Sequence, residues 1–217
     1  MSTHDAASIG FSKSRVEALA DGIFAVAMTL LVIDLKLPAR ADIHSQGGLI
    51  VAVLVLIPKF ISWIISFFVL AIFWFSHHRQ FQLVRTVDVP LLWINILYLG
   101  FVSLMPFSSA LAGEHSRTLF AQAFYSGNMI LLALGGLILA RHVYHHPELC
   151  HTPVPAGFYR ASLVRIFGLV TVALAAVGIS LIVPGAGNAA FMLMMPIFIL
   201  SKRIESAAKP GSAAGRD

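Results

Sequence analysis

Six apolar stretches follow one another along this chain, and they constrain it more than any other feature. They occupy about residues 14–37, 49–76, 90–111, 118–143, 160–183 and 188–200. At about 1.5 Å per residue, a helix of roughly twenty residues crosses the ~30 Å hydrocarbon layer of a bilayer. Helices are the expected form, because lipid offers no partner to a backbone N–H or C=O left unpaired. Of 217 residues, 58% are hydrophobic and only 12% charged, too little charge to cover a soluble domain. The fold class expected is therefore all-α and integral to the membrane, with six transmembrane helices per subunit. The expected organisation is an N-terminal segment at 1–13, a six-helix domain at 14–205 and a disordered tail at 206–217.

Basic residues set the expected orientation. With the N-terminus inside, Lys13, Arg15, Arg79, Arg85, Arg141, Arg160, Arg165, Lys202, Arg203, Lys209 and Arg216 all fall on the inner side. Only Lys36, Arg40 and Arg117 fall on the outer side. That bias obeys the positive-inside rule and requires an even number of crossings, so both termini are expected to be cytoplasmic. The opening residues, MSTHDAASIGFSKSR, hold no apolar core followed by a cleavage site, and no removable signal peptide is expected. The second stretch is too long for one perpendicular span, so Pro58 is expected to kink it or leave its first turns outside, with Lys59 snorkelling to the outer interface. Pro196 is expected to kink the sixth.

The first stretch is the most informative one. Gly22 to Ile33 carry no charge, yet Asp21 and Asp34 bracket them and Thr29 stands among aliphatic residues. Ionisable residues at the edge of a span are costly and tend to serve a function. Val26, Leu30, Ile33 and Leu37 recur at four, three and four residues and so share one stripe, with Thr29 beside it. Two readings stay open from these residues. The stripe could face lipid or the core, with Thr29 bonding back to the carbonyl four residues earlier. Alternatively, several copies could form a hydrophobic constriction with hydroxyls beside it.

Arg15, Asp21 and His77 are expected at the same depth near the inner surface, where they would clasp the first two helices together. His142 and His146 have metal-binding spacing, but no glutamate sits between them in the metalloprotease pattern and Pro147 ends the helix at once, so no metal site is expected. The one cysteine, Cys150, excludes an internal disulfide. No Gly-rich phosphate loop or Gly-x-Ser-x-Gly elbow supports enzyme chemistry, and no cofactor is expected. The net charge of +5 lies scattered over loop ends rather than in a basic run with aromatics, which argues against a nucleic-acid partner.

Three blocks carry a resemblance: RVEALADGIFAVAMTLLVIDLKLP from Arg15, PKFISWIISFFVLAIFWFSHHRQF from Pro58, and VDVPLLWINILYLGFVSLMPFSSALA from Val87. In this order they resemble the bacterial relatives of the lysosomal and endosomal potassium channel, transmembrane protein 175. The family signature at the first helix is Arg, three residues, then Phe-Ser-Asp. Arg15 and Asp21 match it, but Leu19 and Ala20 stand where Phe and Ser belong. The resemblance implies a homotetramer with the first helix lining a central pore, permeable to potassium and leak-like, in a bacterial cell membrane. By position after Asp21, it places the narrow apolar residue on Val26, the selective threonine on Thr29, and further apolar layers on Leu30 and Ile33. Asp34 would then concentrate cations at the outer mouth. Two rivals remain: a proton-coupled secondary transporter using Asp21 or His77, although no internal repeat is evident, and a histidine-based membrane metalloenzyme.

Overall fold

The computed structural model describes residues 12–37 and 45–207. The expectations for most of the N-terminal segment and tail and for Arg40 lie outside these residues. Eight α-helices make up the described chain: α1 Lys13–Leu30, α2 Gln46–Val55, α3 Ile57–Leu83, α4 Val89–Ser103, α5 Met105–Glu114, α6 Leu119–His145, α7 Ala156–Ile182 and α8 Met194–Ala207. Tight 3-10 turns extend α1 over Leu31–Asp34 and lead into α8 over Gly187–Leu193. Five continuous helical stretches are long and apolar enough to cross a membrane: α1 with its 3-10 turn, α3, α4 with α5, α6 and α7.

Two proline-bearing stretches divide for the same reason. Pro58 and Pro106 have no N–H and clash with the carbonyl four residues earlier, so the preceding helix must end first. It does so at Leu56 and Leu104, each proline falling in the first turn of the next helix. The kink expected at Pro58 is thus a break two residues earlier. α2 is capped by Ser45, whose hydroxyl accepts from Gly48 N at 3.1 Å. Its main contact with the bundle is at α3, and Ala52 is its one buried residue. Pro196 likewise falls in the first turn of α8, and the kink expected there is a change from 3-10 to α-helix at Leu193–Met194.

The core is densest around α6, half of whose apolar window is buried. α4, α5 and α7 pack around it, with Tyr98, Tyr125, Phe24, Phe81 and Phe191 wholly enclosed. Several polar side chains inside the bundle pair with one another across helices. The Ser66 hydroxyl donates to Ser109 Oγ at 2.8 Å and lies 2.9 Å from the Tyr125 hydroxyl, joining α3, α5 and α6. Asn128 Nδ2 donates to Ser108 Oγ at 3.1 Å.

The return from α7 to α8 depends on glycine. Gly185 adopts φ 97°, a left-handed conformation that other residues resist. At Gly187 a Cβ would lie 2.2 Å from Ser180 Oγ and 2.4 Å from Ala176 O, so only glycine lets the chain turn this close to α7. α8 then runs back to the end of the bundle where α1 begins and α3 ends. Arg79 on α3 and Glu205 on α8 form a bidentate ion pair there. At the same end an antiparallel bridge between Val84 and Cys150 ties together the chain segments that follow α3 and α6.

Candidate pore-lining face and its supports

α1 has two faces of different fate. Val16, Ala20, Phe24, Ala27 and Leu31, spaced by four, four, three and four, are buried against the bundle. They pack on α3, α4 and α5. The other face is uncovered: Val26 is 56% exposed, Leu30 41% and Ile33 53%, and Thr29 is also exposed. Leu19, Gly22, Val26 and Leu30 with Ser103 of α4 border an open groove of ≈ 370 Å³. The stripe at Val26, Leu30 and Ile33 is therefore not a core face of the subunit.

The Thr29 hydroxyl donates to Val26 O at 2.9 Å, three residues back rather than the expected four. A hydroxyl coordinates a cation through its oxygen, so this bond uses the proton and leaves the lone pairs available. Of the two residues that depart from the family signature, Leu19 lies on the open face and Ala20 in the buried stripe.

Asp34 ends the 3-10 turn and is half-buried, in a recess shared with Lys59, Trp63 and Gly113. Lys59 donates to Glu114 Oε1 at 2.7 Å. A charged end therefore closes the bundle on that side, built from α1, α3 and α5.

At the opposite end, Arg15, Asp21 and His77 are not joined directly. Asp21 Oδ1 accepts from Trp74 Nε1 at 2.9 Å, while His77 Nε2 lies 2.7 Å from Asn95 Oδ1. Arg15 is exposed and has no ion pair among the described residues. His77 is buried, parallel to the Tyr98 ring at 5.6 Å and stacked on Phe81 at 4.5 Å, with Phe24 of α1 tilted against it at 6.0 Å. Trp74 stacks on His78 at 5.6 Å. The helices are thus fastened in series, α1 to α3 through Asp21 and Trp74, and α3 to α4 through His77 and Asn95. Trp74 and Asn95 were the members the sequence reading did not assign. The signal for Asn95 was available, since it is the one amide in an otherwise apolar run from Val89 to Phe101.

His142 and His146 also have structural partners. His142 Nε2 lies 3.0 Å from Asp88 Oδ2, and Asp88 caps α4 by accepting from Leu91 N at 2.9 Å. His146 stacks on His142 at 4.2 Å. Among the described residues, no group of three or more His, Cys, Asp or Glu side chains comes together as metal ligands would. Cys150 is buried beside Val143 O. Burial first, and then the nearby Glu148 carboxylate, push its thiol pKa above the ordinary range.

The family model for the endosomal/lysosomal potassium channel TMEM175 matches residues 15–106, from the start of α1 into α5. A protein of Streptomyces collinus named as a potassium channel is 37% identical over 155 residues, which are 70% of this chain and 74% of that one. A protein of Bos taurus named as the endosomal/lysosomal proton channel TMEM175 is 36% identical over 100 residues, 44% of this chain but 21% of its own length. Among solved structures, the crystal structure of a lysosomal potassium-selective channel TMEM175 homolog from Chamaesiphon minutus is similar, with a TM-score of 0.65 at 28% identity. The match covers 91% of this chain and 98% of that one.

Proposed function

The chain belongs to the endosomal/lysosomal potassium channel TMEM175 family, and on that premise we propose that it is a potassium-permeable cation channel, not an enzyme, whose pore is lined by α1 from four copies. The observation that carries the reading is the division of α1. One stripe anchors the helix to its own subunit, while the opposite face bears Val26, Thr29 and Leu30 and is left exposed by the described residues. One such face cannot enclose an aqueous path, so symmetry must supply the rest.

In this arrangement Val26, Leu30 and Ile33 form apolar rings that disfavour water and keep permeation slow at rest, without the filter of ordinary potassium channels. The ring of Thr29 oxygens replaces part of the ion's hydration and favours the ion that dehydrates more easily, giving modest potassium preference. Asp34 adds negative charge at one mouth. Asp21, Trp74, His77 and Asn95 hold the lining helix at its angle. Six crossings per subunit fit the geometry. The 3-10 segment at about 2 Å per residue and α8 at about 1.5 Å together span about 35 Å. Both termini then lie on the side rich in Lys and Arg, the cytoplasmic face of a bacterial cell membrane.

The test is reconstitution in liposomes. Reversal potentials under opposed potassium and sodium gradients should show a cation current with modest potassium preference. A third arm with a proton gradient separates a channel from proton-coupled transport, which would move protons in fixed ratio to the cation. Modification of Val26→Cys by a water-soluble thiol reagent should block the current. A current insensitive to that modification, or carried by a stable monomer, refutes the α1 pore.

A further inference from the structure

α3 and α8 leave a continuous furrow on the outside of the bundle that none of the foregoing explains. Its apolar part, ≈ 240 Å³, is lined by Ile64, Phe68, Ile72, Phe191, Met192 and Met195. At Met195 it meets a wider part of ≈ 530 Å³, bordered by Phe198 and Ile199 and ending at Arg79, Lys202, Arg203 and Glu205. From Ile64 to Arg79 the wall is about 22 Å of helix, a length that accommodates an acyl chain.

At this cationic end Lys202 stands apart from the ion pair. The Glu205 carboxylate is taken by both guanidinium nitrogens of Arg79. Lys202 has no carboxylate within ion-pair distance among the described residues. Its ammonium instead rests over the rings of Phe75 at 4.6 Å and Phe198 at 4.9 Å. These two rings meet edge to face at 5.9 Å and hold the cation at a fixed point above the apolar furrow.

We infer that this furrow is a binding site for an anionic glycerophospholipid, with the phosphate at Lys202 and an acyl chain along α3 toward Ile64. The complementarity is that of a chain-plus-phosphate molecule: apolar over most of the length and cationic at one end, the end whose other Lys and Arg side chains also attract anionic lipid surfaces. A second copy of this chain is a poorer match to the cationic end. Three carboxylates near that end are engaged, Glu17 with Lys13, Asp88 with His142 and Glu205 with Arg79; Glu148 is exposed in the turn after α6, but a short turn brings no apolar chain to fill the furrow. The inference does not depend on the pore assignment.

Native mass spectrometry of the detergent-solubilised protein tests it, with phosphatidylglycerol and phosphatidylcholine of identical acyl chains as probes. A cation near the headgroup contributes about 1 kcal/mol, so phosphatidylglycerol should be retained about fivefold better. Lys202→Gln should bring the two close to parity, while Lys36→Gln, at the other end of the bundle, should change nothing. Ile199→Trp, which fills the apolar furrow, should lower retention of both lipids, and it keeps the test decisive if Lys202→Gln does not assemble. Equal retention of the two lipids by the wild type, or equal loss in Lys36→Gln and Lys202→Gln, overturns the site. Retention of glycerol phosphate as good as that of the lipid overturns the acyl-chain assignment. Loss of assembly in Ile199→Trp with the lipid preference intact shows that another copy covers the furrow, and also overturns it.

Discussion

Val26→Ala should raise ion flux while leaving the subunit nearly as stable as before. The two methyl groups lost are equivalent to about 1.6 kcal/mol of apolar burial if fully enclosed. Val26 is 56% exposed, so less than half of that is at stake inside the subunit, about 0.7 kcal/mol, and lipid or detergent contact lowers it further. The pore changes more. Water and an ion entering a ring of four valines must contact every methyl group of that ring. Relieving even the equivalent of one methylene, about 0.8 kcal/mol, from the barrier multiplies the rate about fourfold. The contrast is Phe24→Ala, two residues away on the buried face. Phe24 is 1% exposed against His77 and Tyr98, and its truncation should cost about 3–5 kcal/mol. Flux into potassium-loaded liposomes and thermal unfolding in the same detergent measure the two effects. Val26→Ala with unchanged flux in an intact assembly, or a loss of thermal stability matching Phe24→Ala, would refute the two-faced reading of α1.

Thr29→Val removes the oxygen but keeps the shape, and should bring potassium and sodium permeabilities together; Thr29→Ser should preserve the wild-type reversal potential. His77→Phe alone leaves Asn95 Oδ1 buried without its partner and should lower stability by about 1–3 kcal/mol. Adding Asn95→Leu should recover most of that, read as a double-mutant cycle in thermal unfolding. Cys150 should resist alkylation at neutral pH in the folded protein and react fast once unfolded. Because the folded thiol holds its proton more tightly, its contribution to stability is complete below the unfolded pKa and fades as pH rises through the folded value. Cys150→Ala should reduce that alkaline loss, measured as melting temperature against pH.

The sequence alone determined the class of molecule and the chemistry of its first helix. Membrane-length apolar runs leave a chain few options other than helices, because lipid cannot pair a free backbone group. Pro58 announced the break in the second run, since a missing N–H acts locally. The spacing of Val26, Leu30 and Ile33 gave their shared stripe, because periodicity along one helix depends on nothing outside it. Partners across helices were a different matter. Arg15, Asp21 and His77 were expected at similar depth, because depth can be counted along the chain. Rotation about each helix axis cannot be counted that way. It is set by how Phe24, Tyr98 and Phe81 pack around the His77 ring, and that packing turns His77 to Asn95 and Asp21 to Trp74. The tertiary structure likewise decided which stripe of α1 is buried, since both stripes are apolar and only the neighbouring helices choose between them.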